Sequence, residues 1–322
     1  MKYNSMSNLV VALLLFCCQQ ATASSLPSFS DSIDAFWIKT RQKLDAVPME
    51  AKVSQAVEGL PFRKYIITLQ SLNNVTIVGY LAIPVQGEGP AKPWPLLVTT
   101  TGYSGNGLGL QLGECQRGYA VLHVYPRGQG PSADYFNINS DKLSTKLTSP
   151  EGYYYQGGYM DIIRMIDYAV TRPDIDSTRI AMVGTSQGGG MALAITALDS
   201  RVKAVVAHVP FMCNIRLTAT LPSHAKTLLE RAGNKNEAAF ATIDYFDPYM
   251  LARRIKVPAF VDAGGKDVIC PAPAIKSVYD RIKSEIKEYH FYPDLTHTSC
   301  MDSYARTWVF LDQYFKNNKA KM

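Results

Sequence analysis

Two hydrophobic periods alternate along this chain, and the switches between them predict its elements. Lys64 to Gln70 and Thr76 to Ile83 show strand patterning on either side of Leu72-Asn73-Asn74, and are expected as an antiparallel hairpin. Short apolar runs follow at Leu96 to Thr101, Tyr119 to Val124, Arg179 to Val183, Val202 to Val209 and Val257 to Ala263. Helix-patterned stretches fall between them at Gly157 to Ala169 and Met191 to Leu198. That alternation implies a mostly parallel central sheet flanked by helices on both faces. Between Leu221 and Arg254 the pattern is helical without strands, so a helical insertion is expected over about 214–255, near any active site. Lys287 to Tyr292 reads as a late strand ahead of a C-terminal helix.

One junction in this pattern carries chemistry. Gly184-Thr185-Ser186-Gln187-Gly188 lies between an apolar strand and a helix-prone stretch, the setting a G-x-S-x-G nucleophile elbow requires. The sharp turn holds the serine hydroxyl above the sheet, and the glycines let neighbouring chain pass close. A serine needs a general base and a group to orient it. Of the five histidines, only His297 falls in a loop just past a strand. For the acid, Asp267 follows the strand Val257 to Ala263 in the loop Gly264-Gly265-Lys266-Asp267. Asp262 is the rival, but it sits within that strand, where the pleat fixes its direction. The order Ser186, Asp267, His297 is that of the α/β-hydrolase fold. The backbone N–H groups of Gln187, opening the helix, and of Tyr103, in the loop Thr101-Gly102-Tyr103-Ser104-Gly105, are the expected oxyanion donors.

Composition narrows the remaining possibilities. With 322 residues, 47% hydrophobic and 19% charged, the chain can bury a large core and fits one α/β domain over residues 24–322 better than two. Lys2, the apolar stretch Leu9 to Phe16 and Ala21-Thr22-Ala23 form an expected export signal, residues 1–23, cleaved after Ala23. The bulky Phe16 before Cys17 speaks against a lipidation site. No other stretch is long and apolar enough to span a bilayer, so a soluble exported protein is expected. The net charge of +6 is dispersed without a basic run, so no nucleic-acid partner is expected. The histidines show no metal-ligand spacing, and no metal or other cofactor is expected. Past the signal lie Cys115, Cys213, Cys270 and Cys300. If the acid and histidine loops converge, a Cys270–Cys300 bridge becomes possible; buried thiols are the alternative.

Arg127-Gly128-Gln129 and Gly184-Thr185-Ser186-Gln187-Gly188-Gly189, with Asp267 and His297, resemble the R-G-Q and G-x-S-Q-G-G motifs and triad of the acetyl xylan esterase and cephalosporin C deacetylase family. Gly152-Tyr153-Tyr154-Tyr155, Val209-Pro210-Phe211-Met212-Cys213, Asp244-Tyr245-Phe246-Asp247-Pro248 and Asp267-Val268-Ile269-Cys270-Pro271 also resemble family segments, in family order, from about Phe62 onward. The resemblance implies a serine esterase that removes acetyl groups from carbohydrates such as xylo-oligosaccharides, and cephalosporin C-type esters as a further substrate class. It implies Arg127 and Gln129 as supporting residues, and a trimer-based hexamer. One position departs: Thr298 follows His297 where the family usually has Glu. Tyr103 and Pro210-Phe211 are the expected walls of a small acyl pocket. The same triad also serves peptidases and feruloyl esterases, and an inactive hydrolase fold can serve as a binding protein; both readings stay open at this stage.

Overall fold

The computed structural model describes residues 29–57, 62–85, 93–105, 113–138 and 141–316; the expected leader lies outside them. Its framework is a sheet of β1 (Lys52–Val57), β2 (Phe62–Ser71), β3 (Val75–Pro84), β4 (Trp94–Thr100), β5 (Ala120–Tyr125), β6 (Ile175–Thr185), β7 (Val202–His208), β8 (Ala259–Gly264) and β9 (Lys287–Tyr292). The spatial order is β1-β2-β3-β5-β4-β6-β7-β8-β9. The joins β1–β2, β2–β3 and β3–β5 are antiparallel and the rest parallel. The expected hairpin is β2–β3, with Gln70 opposite Thr76. Its turn places Asn73 and Asn74 at φ 62° and 56°, a left-handed conformation that asparagine tolerates better than most residues.

Alternation along the parallel strands divides the core in two. Ile180 and Met182 of β6, Val205 and Ala207 of β7, and Ala259, Val261 and Ala263 of β8 face the larger cluster. It is covered by α3 (Tyr154–Ala169), α4 (Gln187–Leu198) and α9 (Ala272–Arg281). Ala181, Ala204, Val206 and Phe260, with the opposite parity, meet Trp308, Phe310 and Leu311 on or just at the end of α10 (Met301–Leu311). Both faces of the strands are dry, which is why they read as continuous apolar runs.

Some elements carried no clear signal in the sequence. The amphipathic α1 (Phe29–Asp45) buries Phe36 and Trp37 against Tyr245, Phe246 and Tyr159, and Trp37 donates its indole N–H to the Tyr245 carbonyl at 2.9 Å. The short α2 (Gly113–Gln116) precedes β5. Between β7 and β8 lie α5 (Ile215–Thr218), α6 (His224–Arg231), α7 (Glu237–Ile243) and α8 (Pro248–Leu251). The last three are capped by Ser223, Asn236 and Asp247 side chains accepting backbone N–H bonds. Among the described residues, no helix is long and apolar enough to cross a membrane.

Candidate active site

Ser186 sits between β6 and α4 at φ 57°, ψ −123°, a strained conformation for a residue with a side chain. The strain is held by the backbone on both sides. Its N–H donates to the His208 carbonyl at 2.9 Å, and its carbonyl accepts from Phe211 N at 2.8 Å and Gly190 N at 3.0 Å. A Cβ on Gly184 would lie 2.3 Å from the carbonyl carbon and oxygen of Gly188. No other residue fits that crossing without moving backbone.

The other two expected catalytic side chains converge here. His297 Nε2 lies 2.8 Å from Ser186 Oγ, and His297 Nδ1 lies 2.8 Å from Asp267 Oδ2. The Asp267 side chain is wholly buried, and its second oxygen accepts the N–H groups of Ile269 and Cys270 at 2.8 Å each. Those bonds fix the orientation of the carboxylate. His297 stays partly exposed. The acid and histidine loops meet because a Cβ on Gly264 would come within 2.5 Å of the Leu295 carbonyl oxygen, and one on Gly265 within 2.4 Å of that of Pro293. Asp262 points elsewhere: its strand parity turns it onto the α10 face, where it binds His208.

The peptide joining Gly102 to Tyr103 is gripped from its carbonyl side. Gly102 O accepts from Gln129 Nε2 at 2.9 Å and from Gln187 Nε2 at 3.3 Å. The two amides are themselves linked, Gln187 Nε2 donating to Gln129 Oε1 at 3.0 Å, while Tyr154 and Tyr155 hydroxyls donate to Gln129 Oε1 and Gln187 Oε1. Tyr103 is tied down further by its hydroxyl bond to Asp141 and by Lys142 Nζ, 2.6 Å from its carbonyl oxygen. Burial and the Asp141 carboxylate push the Tyr103 phenol far above its ordinary range, so it stays a donor. Gln187 is the first residue of α4, so its backbone N–H has no intrahelical partner and is free to serve a ligand. The expected signal for Gln187 was its backbone; the role of its side chain went unseen.

Arg127 is buried beneath this network. Its Nε and Nη2 bond both oxygens of the fully buried Asp161 at 2.9 and 2.8 Å, and Nη2 also reaches the Leu72 carbonyl. It braces α3 and the β2–β3 turn without touching Ser186.

The Tyr103 ring packs edge-on against Phe211 and His224. An apolar recess of about 10 Å³ is bounded by Pro210, Phe211, Met212, Ile269 and Cys270, among others, space for about one small group. The Cys270 thiol lies beside the Ser186 hydroxyl, and burial raises its pKa well above the ordinary value. Asp267, Cys270 and His297 place three potential metal-ligand atoms within 4.8 Å of one another. The raised thiol pKa and the Asp267–His297 bond both oppose metal binding there. The bridge considered between Cys270 and Cys300 is not formed: all four cysteines of the described residues are free. Cys270 turns inward to Ser186, while Cys300 sits at the N-terminal boundary of α10.

Comparison with known proteins agrees with this geometry. A sequence model of the acetyl xylan esterase (AXE1) family matches residues 22–314. The acetyl esterase Axe7A of Xylanibacter ruminicola is 24% identical over 307 residues, covering 88% of this chain and 67% of that protein. The acetyl xylan esterase from Paenibacillus sp. R4 superposes with a TM-score of 0.79 at 27% identity, covering 90% of this chain and all of that one. Acetyl xylan esterase 1 from Thermoanaerobacterium sp. JW/SL YS485 also gives 0.79, at 21% identity over 88% of this chain and 94% of its own. An acylaminoacyl peptidase of Pyrococcus horikoshii shares the fold at a TM-score of 0.65 and 17% identity, with 82% of this chain covering 44% of that one.

Proposed function

Since the chain belongs to the acetyl xylan esterase family, and so is a carboxylic ester hydrolase acting on acetyl esters, we propose that it deacetylates carbohydrate hydroxyls, as on xylo-oligosaccharides, through an acyl-enzyme on Ser186. The supporting observation is the unbroken series from Ser186 Oγ through His297 to Asp267, with both links at 2.8 Å. His297 Nε2 takes the serine proton as Oγ attacks the acetyl carbonyl. Asp267 holds Nδ1–H and stabilises the imidazolium. The backbone N–H groups of Tyr103 and Gln187 receive the oxyanion, aided by the positive end of α4. Collapse expels the sugar alkoxide, which takes the proton from His297. A water then gives a proton to His297 and attacks the acyl-enzyme, releasing acetate and restoring Ser186. Arg127 and Gln129 act as supports.

With room for about one small group, the recess beside Cys270 is assigned in this reading to the acetyl methyl, so acetate is expected to be preferred over octanoate. Cephalosporin C-type acetyl esters present the same acyl group and fall within this reading. Export with cleavage after Ala23 and a trimer-based hexamer belong to it as well, tested by the mass of the mature N-terminus and by light scattering. The function itself is tested by acetate release from acetylated xylo-oligosaccharides and by hydrolysis of p-nitrophenyl acetate and octanoate, for the wild type and Ser186→Ala. Acetyl preference lost in the variant supports the proposal. Activity surviving in the variant refutes the mechanism; an inert wild type favours a peptidase or binding role.

A further inference from the structure

Behind Ser186, on the opposite side from the recess, lies a second group of aspartate, histidine and serine. His208 ends β7 and is registered against Asp262 of β8, and strand parity turns both toward α10. His208 Nδ1 lies 2.6 Å from Asp262 Oδ2, which also accepts the Ser303 hydroxyl; Asp262 Oδ1 accepts Val209 N–H at 2.9 Å. Thr307 Oγ1 is 3.3 Å from His208 Nε2 and donates to the Ser303 carbonyl at 3.0 Å. His208, Asp262, Ser303 and Thr307 are 8%, 2%, 0% and 4% exposed. No substrate reaches this group. Ser303 approaches the same ring nitrogen that Asp262 holds, so no base is free to activate it.

We infer that His208, Asp262 and Ser303 are positioning residues that set the distance between Ser186 and His297. The inference rests on the roles proposed for those two residues. At one end, the His208 carbonyl takes the Ser186 N–H, and Asp262 holds the next peptide while Val209 sits at φ 38°. Two residues on, Phe211 N–H binds the Ser186 carbonyl. The nucleophile's strained backbone therefore leans on a segment whose own strained residue is pinned by the Asp262 carboxylate. At the other end, Ser303 lies in the first turn of α10, six residues after His297, and fixes where the histidine loop enters that helix. Asp262 joins the ends and lies only five residues before Asp267. An apolar filling could be equally stable here, since buried polar clusters of this kind often add little net stability. What the cluster contributes is a single geometry.

The test compares Ser303→Ala, His208→Val and His208→Asn, measuring kcat, KM and Tm on p-nitrophenyl acetate per folded enzyme. Positioning predicts that Ser303→Ala and His208→Val lower kcat about tenfold, since a displacement of 1 Å can cost roughly a hundredfold, with KM little changed. His208→Asn retains a nitrogen donor near Asp262 and is expected within about threefold of wild type. Ser303→Ala removes one oxygen only and decides the matter if His208→Val does not fold. Unchanged kcat with a lowered Tm in Ser303→Ala would overturn the inference, as would an equal loss in His208→Asn and His208→Val. Failure of the underlying roles shows separately, as activity surviving Ser186→Ala with this cluster intact.

Discussion

Replacing Gln129 by Glu exchanges one amide for a carboxylate of the same shape, and so tests the grip on the Gly102–Tyr103 peptide. In the native protein Gln129 Nε2 donates to Gly102 O at 2.9 Å, while Oε1 accepts from Tyr154 and Gln187. Glutamate keeps the acceptor but sets a second oxygen against the Gly102 carbonyl, leaving the bonds from Gly105 N at 3.1 Å and Gln187 Nε2 at 3.3 Å as the remaining hold on that oxygen. Gln129 is 1% exposed, so water does not readily replace the lost donor. Deleting an oxyanion donor outright costs about 2.7–4 kcal/mol. Here the donor N–H survives and its peptide is pushed out of line rather than released, so about 2 kcal/mol is expected, roughly a 30-fold fall in kcat. KM for p-nitrophenyl acetate should stay close to the native value, because the ground-state ester does not need the oxyanion contact. Gln129→Ala should lose less than Gln129→Glu, since it removes the grip without adding repulsion. Equal kcat in Gln129→Glu and wild type, or a loss confined to KM, would refute the role of this clamp.

Other expectations follow from the same geometry. Asp267→Asn should cut kcat about 10⁴-fold with the fold intact by circular dichroism, because the amide favours the wrong histidine tautomer; retention of a tenth of the activity would count against Asp267 as the orienting group. Gly190→Ala would bring a Cβ to 2.0 Å from the Phe211 carbonyl oxygen, and denaturant unfolding should show a loss of about 1–3 kcal/mol. Burial drives the His123 pKa down from 6.5 to about 4. The unfolded chain therefore takes up this proton first, and the associated stability, present above pH 6.5, is lost as pH falls toward 4. At 1.36 kcal/mol per pH unit this reaches about 3 kcal/mol, and His123→Leu should flatten that part of the stability profile.

What the sequence revealed depended on how local each signal was. Ser186, Asp267 and His297 were legible because each follows a recognisable strand in a short loop, and the chain order narrows the choices. Asp262 and Asp267 could be told apart by the pleat alone, and the structure turns Asp262 toward His208. The paired amides of Gln129 and Gln187 join residues 58 positions apart, and no periodic pattern records such a contact. The same holds for Gly264 and Gly265, whose value lies in carbonyls of the 293–296 loop, and for Trp37, which reaches Tyr245 across 208 positions. Cys270 read as a bridge partner because convergence of the loops was legible, whereas the direction of its side chain was not.

The central claim is that Ser186 is the nucleophile, and a serine-directed organophosphate tests it most directly. Diethyl p-nitrophenyl phosphate, titrated against acetyl esterase activity and followed by intact and peptide mass spectrometry, should place one diethylphosphoryl group on Ser186 as activity falls to zero, and none on Ser186→Ala. Full inactivation with the label on another residue, or full labelling of Ser186 with activity retained, would contradict the account.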